Sequence, residues 1–185
     1  IDKIDMDHFK MIEKRVYDLA GTNPDIKFTF NGTPLNFKSF DDYIGLYTSE
    51  FISEVKKDKT WSVGIGLSNN GFQQVSFVNS VETYDGGTHV DYIMNQIIVS
   101  LREFFLKKHK VDVKPSELKQ HMFLFLDSTI INPSFSSQTK EKLITETKDF
   151  GTSYEVTNKM IQGILKSEII DSILDWIQQK KSAEE

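Results

Sequence analysis

Apolar residues recur along this chain with two different spacings, and each spacing is typical of one kind of secondary structure. Spacings of three and four residues indicate amphipathic helices. They predict four helices, over residues 7–20, 88 to about 107, 158–166 and 168–180. The first has Asp7 as its predicted cap and Gly21 as its stop signal, because glycine is common just beyond a helix C-terminus. The second is the longest, and its wide apolar face predicts that it lies on a sheet.

Alternation of apolar and polar residues predicts two hairpins. Residues 26–30 alternate in this way, and the turn signal Asn31-Gly32 leads into a return strand at 35–37. Residues 61–67 and 72–79 alternate as well, with turn residues between them, so they are predicted to pair with each other as a second hairpin.

A continuous apolar run and the loop after it carry the candidate chemistry. Residues 121–131 are too uniformly apolar for an exposed edge, which predicts a central strand. Asn132-Pro133 predicts a loop, because proline offers no N–H to a sheet ladder. That loop presents Gln138, Thr139 and Lys140: an amide donor, a hydroxyl and a mobile positive charge that could reach a phosphate. Three residues alone favour the simpler interpretation of a solvated polar loop.

The composition limits the possible functions. The chain has no cysteine, which excludes disulfides and thiolate metal sites. A net charge of -5 argues against a globally basic DNA-binding domain, so any DNA contact must be local. No apolar run approaches the roughly 20 residues that span a bilayer. No metal site is predicted, because metal-ligand spacing is missing from the histidines, His8, His89, His109 and His121.

Longer ordered blocks resemble the transducer region of eukaryotic type IIA DNA topoisomerases. Residues 138–140 read QTK, residues 71–80 read GFQQVSFVNS and residues 86–92 read GGTHVDY. The likeness extends from RVYDLAG at 15–21 to ILDW at 173–176. It implies an α+β fold, with a mixed β-sheet and the long helix on one face, like the second domain of a small-subunit ribosomal protein, including its left-handed crossover.

The resemblance also implies a division of the chain. Residues 1–25 would be the C-terminal end of a GHKL-type ATP-binding domain, and residues 26–185 would be the transducer domain. The chain starts without methionine and with a helix that belongs to the preceding domain, so we expect a fragment of a longer protein. The parent would be a nuclear, homodimeric isomerase that uses ATP and magnesium to pass one double-stranded DNA through another.

In this family the QTK loop contacts the terminal phosphate of ATP held in the neighbouring domain. The resemblance therefore implies that Gln138, Thr139 and Lys140 bind the nucleotide and that Lys140 has the catalytic role, with Thr139 mainly forming the turn. Magnesium is expected in the parent enzyme and not on this chain. The isolated chain is expected to be non-catalytic, because it has no glycine-rich phosphate cradle, magnesium ligand or general base for water.

Basic residues at the end of the long helix are the second candidate site. Lys107, Lys108 and Lys110 are favoured there by the helix dipole, so the simpler interpretation is a solvated helix end. The family carries a lysine-rich loop at this position that faces the transported duplex, which implies sequence-blind DNA contacts. The alternative from another class is a free-standing nucleic-acid-binding or adaptor module that uses the same lysines.

Overall fold

The structure, a computed structural model, describes residues 4–184. Over this range the helices are α1 Met6–Thr22, α2 Phe40–Ile44, α3 Thr88–Phe104, α4 Pro115–Lys119, α5 Asn158–Leu165 and α6 Glu168–Glu184. The strands are β1 Phe28–Phe30, β2 Thr33–Leu35, β3 Ile52–Val55, β4 Trp61–Leu67, β5 Gln73–Val78, β6 Val81–Glu82 and β7 Met122–Ser128. A π-helical turn, Phe105–His109, continues α3, and a 3-10 turn, Thr147–Asp149, follows the β7 loop. The fold is α+β, as predicted.

Five strands form a mixed sheet in the order β3-β4-β7-β5-β6. β5 and β7 are parallel neighbours, and the other pairs are antiparallel. The continuous apolar run therefore becomes the central strand, as predicted. Because β5 and β7 are parallel, the chain between them must cross over, and α3 lies in that crossover. A separate hairpin joins β1 to β2 through Asn31-Gly32, as predicted, although its return strand begins at Thr33.

The sheet separates two apolar clusters. On β7, Leu124 and Leu126 belong to the larger cluster, which includes α3, α5 and α6. The alternate residue Phe125 belongs to a smaller cluster on the other side, with Phe40 and Tyr43 of α2. The long helix thus covers one face of the sheet and the short α2 covers part of the other. Asp127 continues the Phe125 side of β7, since side chains alternate along a strand.

The predicted pairing of residues 61–67 with 72–79 is wrong. β4 and β5 do not pair with each other, because β7 lies between them and bonds to both. The hairpin partner of β4 is β3, a half-buried strand whose sequence, ISEV, does not alternate clearly. β5 instead turns back into the short β6. Sequence proximity suggested a hairpin, but burying the most apolar strand in the centre decided the order.

Several predicted helix ends also differ. Asp5, not Asp7, caps α1, with its carboxylate accepting from the His8 backbone N–H at 2.9 Å. Gly21 lies inside α1 rather than ending it, and the ring of Tyr43 packs on it; a Cβ on Gly21 would lie 2.5 Å from the Tyr43 Cδ2. Across residues 4–184, no helix combines the length and apolarity that crossing a membrane requires.

Candidate functional site

The loop that carries Gln138, Thr139 and Lys140 folds back on itself. The Ser136 N–H donates to the Lys142 carbonyl at 3.0 Å, and the Ile144 N–H donates to the Ser134 carbonyl at 2.9 Å. Residues 134–136 and 142–144 therefore form a stem, and residues 137–141 form a tip segment. The stem therefore holds the tip segment in a defined position at the surface.

The tip segment exposes all three predicted residues. The Lys140 N–H closes the turn onto the Ser137 carbonyl at 3.1 Å, and Lys140 has a left-handed φ of 60°. The Ser137 and Thr139 hydroxyls are 2.7 Å apart, which gives Thr139 a part in the turn. The Lys140 ammonium lies 5.9 Å from the centre of the Phe135 ring, and no carboxylate among residues 4–183 pairs with it. Lys140 is thus held out in solvent with its charge uncompensated.

The stem is anchored to the sheet and to α3 by the turn at Gly86-Gly87. The Leu143 N–H donates to the Gly86 carbonyl at 3.1 Å, and the Thr88 N–H donates to the Leu143 carbonyl at 3.2 Å. Gly87 has a φ of 133°, and a Cβ there would lie 2.3 Å from the Leu143 oxygen. Only glycine fits this approach. The Thr88 hydroxyl donates to the Thr145 carbonyl at 2.7 Å, and the N-cap of α3 is Gly87, with no side-chain cap hydrogen bond.

His89 lies under this anchor in a buried polar group. Its Nε2 is 3.0 Å from the Thr83 hydroxyl, which in turn is 2.6 Å from the Ser76 hydroxyl. Burial lowers the pKa of His89 to about 3, so the imidazole is neutral at physiological pH. Its role is structural support beneath the Gly86-Gly87 turn. In the part of the chain that the structure describes, no group of three or more His, Cys, Asp or Glu side chains could hold a metal ion.

The three lysines of the second site lie on and just after the π-helical turn, at the far end of α3. Lys107 forms an ion pair with Glu103 at 3.2 Å, and the Lys108 ammonium lies 5.2 Å from the centre of the Phe104 ring. Lys110 has a φ of 57° and no ion pair within residues 4–183. The structure brings the three lysines together, and among residues 4–183 Lys107 has a carboxylate partner whereas Lys108 and Lys110 have none.

One helix connects the two candidate sites. The loop anchor is at the N-terminus of α3, and the lysines follow its C-terminus. At about 1.5 Å per residue, the 17 residues of α3 place the two ends roughly 25 Å apart. Seven buried residues pack this helix against the rest of the fold: His89, Val90, Ile93, Met94, Ile97, Ile98 and Leu101.

A third group of polar residues, which the sequence did not indicate, joins α1 to the sheet. The Lys14 ammonium contacts the carboxylates of Asp18 and Glu82, and the Tyr43 hydroxyl donates to Asp18 at 2.6 Å. A cleft of about 330 Å³ lies beside this cluster, and Thr139 of the tip segment forms part of its wall. The signal that could have found the cluster is Asp18, a carboxylate placed on the inner face of an amphipathic helix.

Comparison with known proteins places these features in a family. The family model described as DNA gyrase B matches residues 34–185. DNA topoisomerase 2-alpha from Gallus gallus is 40% identical over 188 residues, and the match covers 96% of this chain and 12% of that protein. The chain therefore spans a small part of the length of such relatives.

Solved structures of type II topoisomerases are similar to this chain as well. The ATPase region of Saccharomyces cerevisiae topoisomerase II superposes with a TM-score of 0.87 at 37% identity, covering 96% of this chain and 47% of that one. The ATPase and transducer domains of DNA topoisomerase II from Balamuthia mandrillaris also give a TM-score of 0.87, at 31% identity and 95% and 46% coverage.

Proposed function

This chain belongs to the DNA gyrase B family and matches part of the ATPase region of eukaryotic type II DNA topoisomerases, and from that premise we propose that it is the transducer segment of such an enzyme. Residues 26–185 form the transducer, and residues 1–25 complete the ATP-binding domain before it. The exposed apolar side chains of α1 support this division, among them Met6, Met11 and Ile12 at 66%, 69% and 48% exposure. We assign a left-handed crossover between β5 and β7, as in the ribosomal-protein-like fold.

Lys140 contacts the terminal phosphate of ATP in the neighbouring domain. The observation that carries this assignment is the tip segment: its ammonium is exposed, uncompensated and projected on a stem that hydrogen bonds fix to the core. Gln138 adds an amide donor to the same phosphate. A positive charge there stabilises the charge that develops during phosphoryl transfer and holds the two domains together while the phosphate is present.

Nucleotide state is then relayed to the DNA-cleaving core of the parent enzyme. The stem transmits displacement of the tip to the N-terminus of α3, and α3 carries it to the basic residues at its other end. Lys107, Lys108 and Lys110 contact the backbone of the transported duplex. The parent is a nuclear homodimer that uses ATP with magnesium, and the magnesium belongs to the ATP-binding domain.

The test is Lys140→Ala in the full-length enzyme, with Lys142→Ala as the matched control. Lys142 is an exposed lysine two residues away, on the stem. Lys140→Ala should lower ATP hydrolysis and strand passage by about a hundredfold, the lower end of the range expected when one donor to a transition-state charge is lost. Lys142→Ala should leave both rates near wild type. If both variants lowered the two rates equally, the assignment of Lys140 as the phosphate contact would be wrong.

Two controls use the 185-residue chain alone. Lys140→Ala should change its free energy of unfolding by no more than about 0.5 kcal/mol, as expected for an exposed residue. The chain should not hydrolyse ATP above background. A large loss of stability would make Lys140 structural, and turnover by a pure preparation would contradict the division of labour between the two domains.

The alternative is a free-standing nucleic-acid-binding or adaptor module built on the basic end of α3. The match to the ATPase region of Saccharomyces cerevisiae topoisomerase II, which covers 96% of this chain, weakens this alternative. The full reading frame decides between the two functions: it should encode an ATP-binding domain before this segment and a DNA-cleaving core after it.

A further inference from the structure

A cleft of about 340 Å³ lies on the side of the sheet opposite α3. One wall is the segment that ends α1 and leads to β1, residues 21–26. The start of α2, with Phe40, forms a second wall, and Val55, Lys59 and Ser62 complete the lining. This cleft is separate from the tip segment and from the basic end of α3, and neither proposed site uses it.

Asp127 of β7 is the acidic group at the sheet side of this cleft. It is paired in the sheet with Ser62 of β4, and its side chain follows Phe125 on the same face. Among residues 4–183, no side chain donates a hydrogen bond to this carboxylate and no lysine or arginine pairs with it. A half-buried carboxylate with this little compensation is unusual, because burial of a charge is costly without a partner.

The charges around the cleft leave Asp127 without a cation. Lys59 is paired with Asp25 at 2.9 Å on the rim, and Lys38 is exposed. The cleft also adjoins the C-terminal, negative end of α1, whose last turn contains no basic residue. A carboxylate and a helix C-terminus therefore face the same space, and both attract positive charge.

We propose that this cleft binds a small organic cation, an ammonium or amidinium group joined to a flat apolar body. The cationic group would pair with the Asp127 carboxylate near the end of α1. The apolar body would lie against Phe40 and Val55. The volume is at the lower end of the range typical of small-molecule sites, which suits a ligand of one ring.

Binding should be linked to a proton. Burial raises the pKa of Asp127 to about 7, and the smaller effect of the Ser128 N–H opposes it. A bound cation favours the ionised form, so affinity should rise several-fold as pH increases through 7. The other charged groups that face the cleft are Asp25, Lys38 and Lys59, and no histidine lines it.

The experiment uses the 185-residue chain and two probes of the same shape. Benzamidine is positively charged, and benzamide is its neutral counterpart. Titration of each probe into isotope-labelled protein, followed by backbone amide NMR, gives the affinity and the location. Benzamidine should shift the amides of Ser62 and Asp127 and should bind at least about tenfold more tightly than benzamide, because a hydrogen bond to a charged partner contributes this much.

Two variants separate Asp127 from the general negative charge of the chain. Asp127→Asn should lower benzamidine affinity at least about tenfold and abolish its pH dependence. Asp25→Asn removes an exposed carboxylate from the rim of the same cleft and should have little effect. Equal binding of the two probes, or unchanged affinity in Asp127→Asn, would overturn the proposal. So would the absence of benzamidine-induced shifts at Ser62 and Asp127 in the unmodified chain, a result that does not require the variant to fold.

Discussion

Lys14 on α1 and Glu82 on β6 form an ion pair that joins positions 68 residues apart, with 2.5 Å between Nζ and Oε2. The same ammonium lies 3.0 Å from Asp18, whose side chain is 2% exposed. Burial alone would lower the pKa of Lys14, but the two carboxylates outweigh it and raise the pKa. One cation therefore compensates two buried or nearly buried carboxylates where the first helix meets the edge of the sheet.

This ion pair predicts that replacement of Lys14 lowers the free energy of unfolding more than replacement of Glu82. Lys14→Met leaves two carboxylates together without a cation and should lower the free energy of unfolding by about 2 to 4 kcal/mol. Glu82→Gln keeps the Lys14–Asp18 pair and should cost about 1 kcal/mol or less. Urea unfolding at neutral pH measures both. Lys10→Met, on the exposed side of α1, is the control and should be near neutral. Equal losses for Lys14→Met and Glu82→Gln would mean that Asp18 needs no cation.

The contact between Gly87 and Leu143 predicts that the tip segment depends on a glycine. Gly87→Ala would place a methyl group 2.3 Å from the Leu143 oxygen, so the loop anchor must open. The free energy of unfolding should fall by more than about 2 kcal/mol, and a protease should cut the stem faster in this variant than in the unmodified chain. Gly71→Ala is the matched control, because Gly71 also has a positive φ, 80°, but a Cβ there meets nothing within 4 Å. That variant should cost only about 1 kcal/mol. Similar losses would show that backbone strain, not the anchor, determines both.

The lysines at the end of α3 should differ in their contribution to DNA binding. Replacement of Lys107, Lys108 and Lys110 by Gln should weaken DNA stimulation of the full-length enzyme's ATPase, and the loss should shrink as salt rises. Lys110→Gln alone should have a larger effect than Lys107→Gln, because Glu103, 3.2 Å from Lys107, offsets part of its charge. Measurement of DNA-stimulated rates across a salt series tests this.

Two further results decide whether the charge of these lysines causes the DNA stimulation of the ATPase. A triple Lys→Arg variant keeps the charge and should retain most of the stimulation, while the DNA-free rate stays unchanged in both triple variants. Glu103→Gln should strengthen stimulation by releasing Lys107. Failure of arginine to replace lysine would mean that the shape of the turn matters, and the electrostatic explanation would have to be given up.

Apolar periodicity was sufficient to predict the elements that bury whole faces. The long helix, the central strand and the last two helices were predicted because each is dominated by burial of one face or of both. Periodicity could not give strand order, because β4 and β5 have the same pattern whether they pair with each other or both with β7. It also missed the end of α1, which lies one residue beyond Gly21, with Asn23 as the C-cap.

The candidate site residues also fall into two groups: those that the sequence pointed to and those that it did not. The resemblance proposes Gln138, Thr139 and Lys140 as nucleotide contacts, and these residues are exposed and close together in sequence. Periodicity missed the roles of Asp18 and Asp127, whose surroundings come from distant segments. For Asp127 a local clue was present, since it continues the inward-facing series of Phe123 and Phe125 on β7.

The environment of Asp127 predicts how stability depends on pH. Its pKa is about 7 in the folded chain, against about 3.9 for an unperturbed aspartate in the unfolded chain. Between these two values the folded state binds more protons than the unfolded state, so Asp127 makes stability fall as pH rises from about 4 to 7. Above about pH 7 the loss is complete and constant, and below about pH 4 it is absent.

Asp127→Asn should remove this contribution. The variant should be more stable than the unmodified chain at pH 8 by about 1 to 3 kcal/mol, a value reduced from the full linkage energy because the side chain is partly exposed. The difference between the two proteins should shrink steadily toward pH 4, where both carry a neutral group. Thermal or urea unfolding across this range measures it, and the exposed Asp25→Asn is the control that should show no such trend. If Asp127→Asn were less stable at pH 8 and equal at pH 4, the ionised carboxylate would be stabilised in the fold, and a cation from the chain itself would have to occupy the cleft.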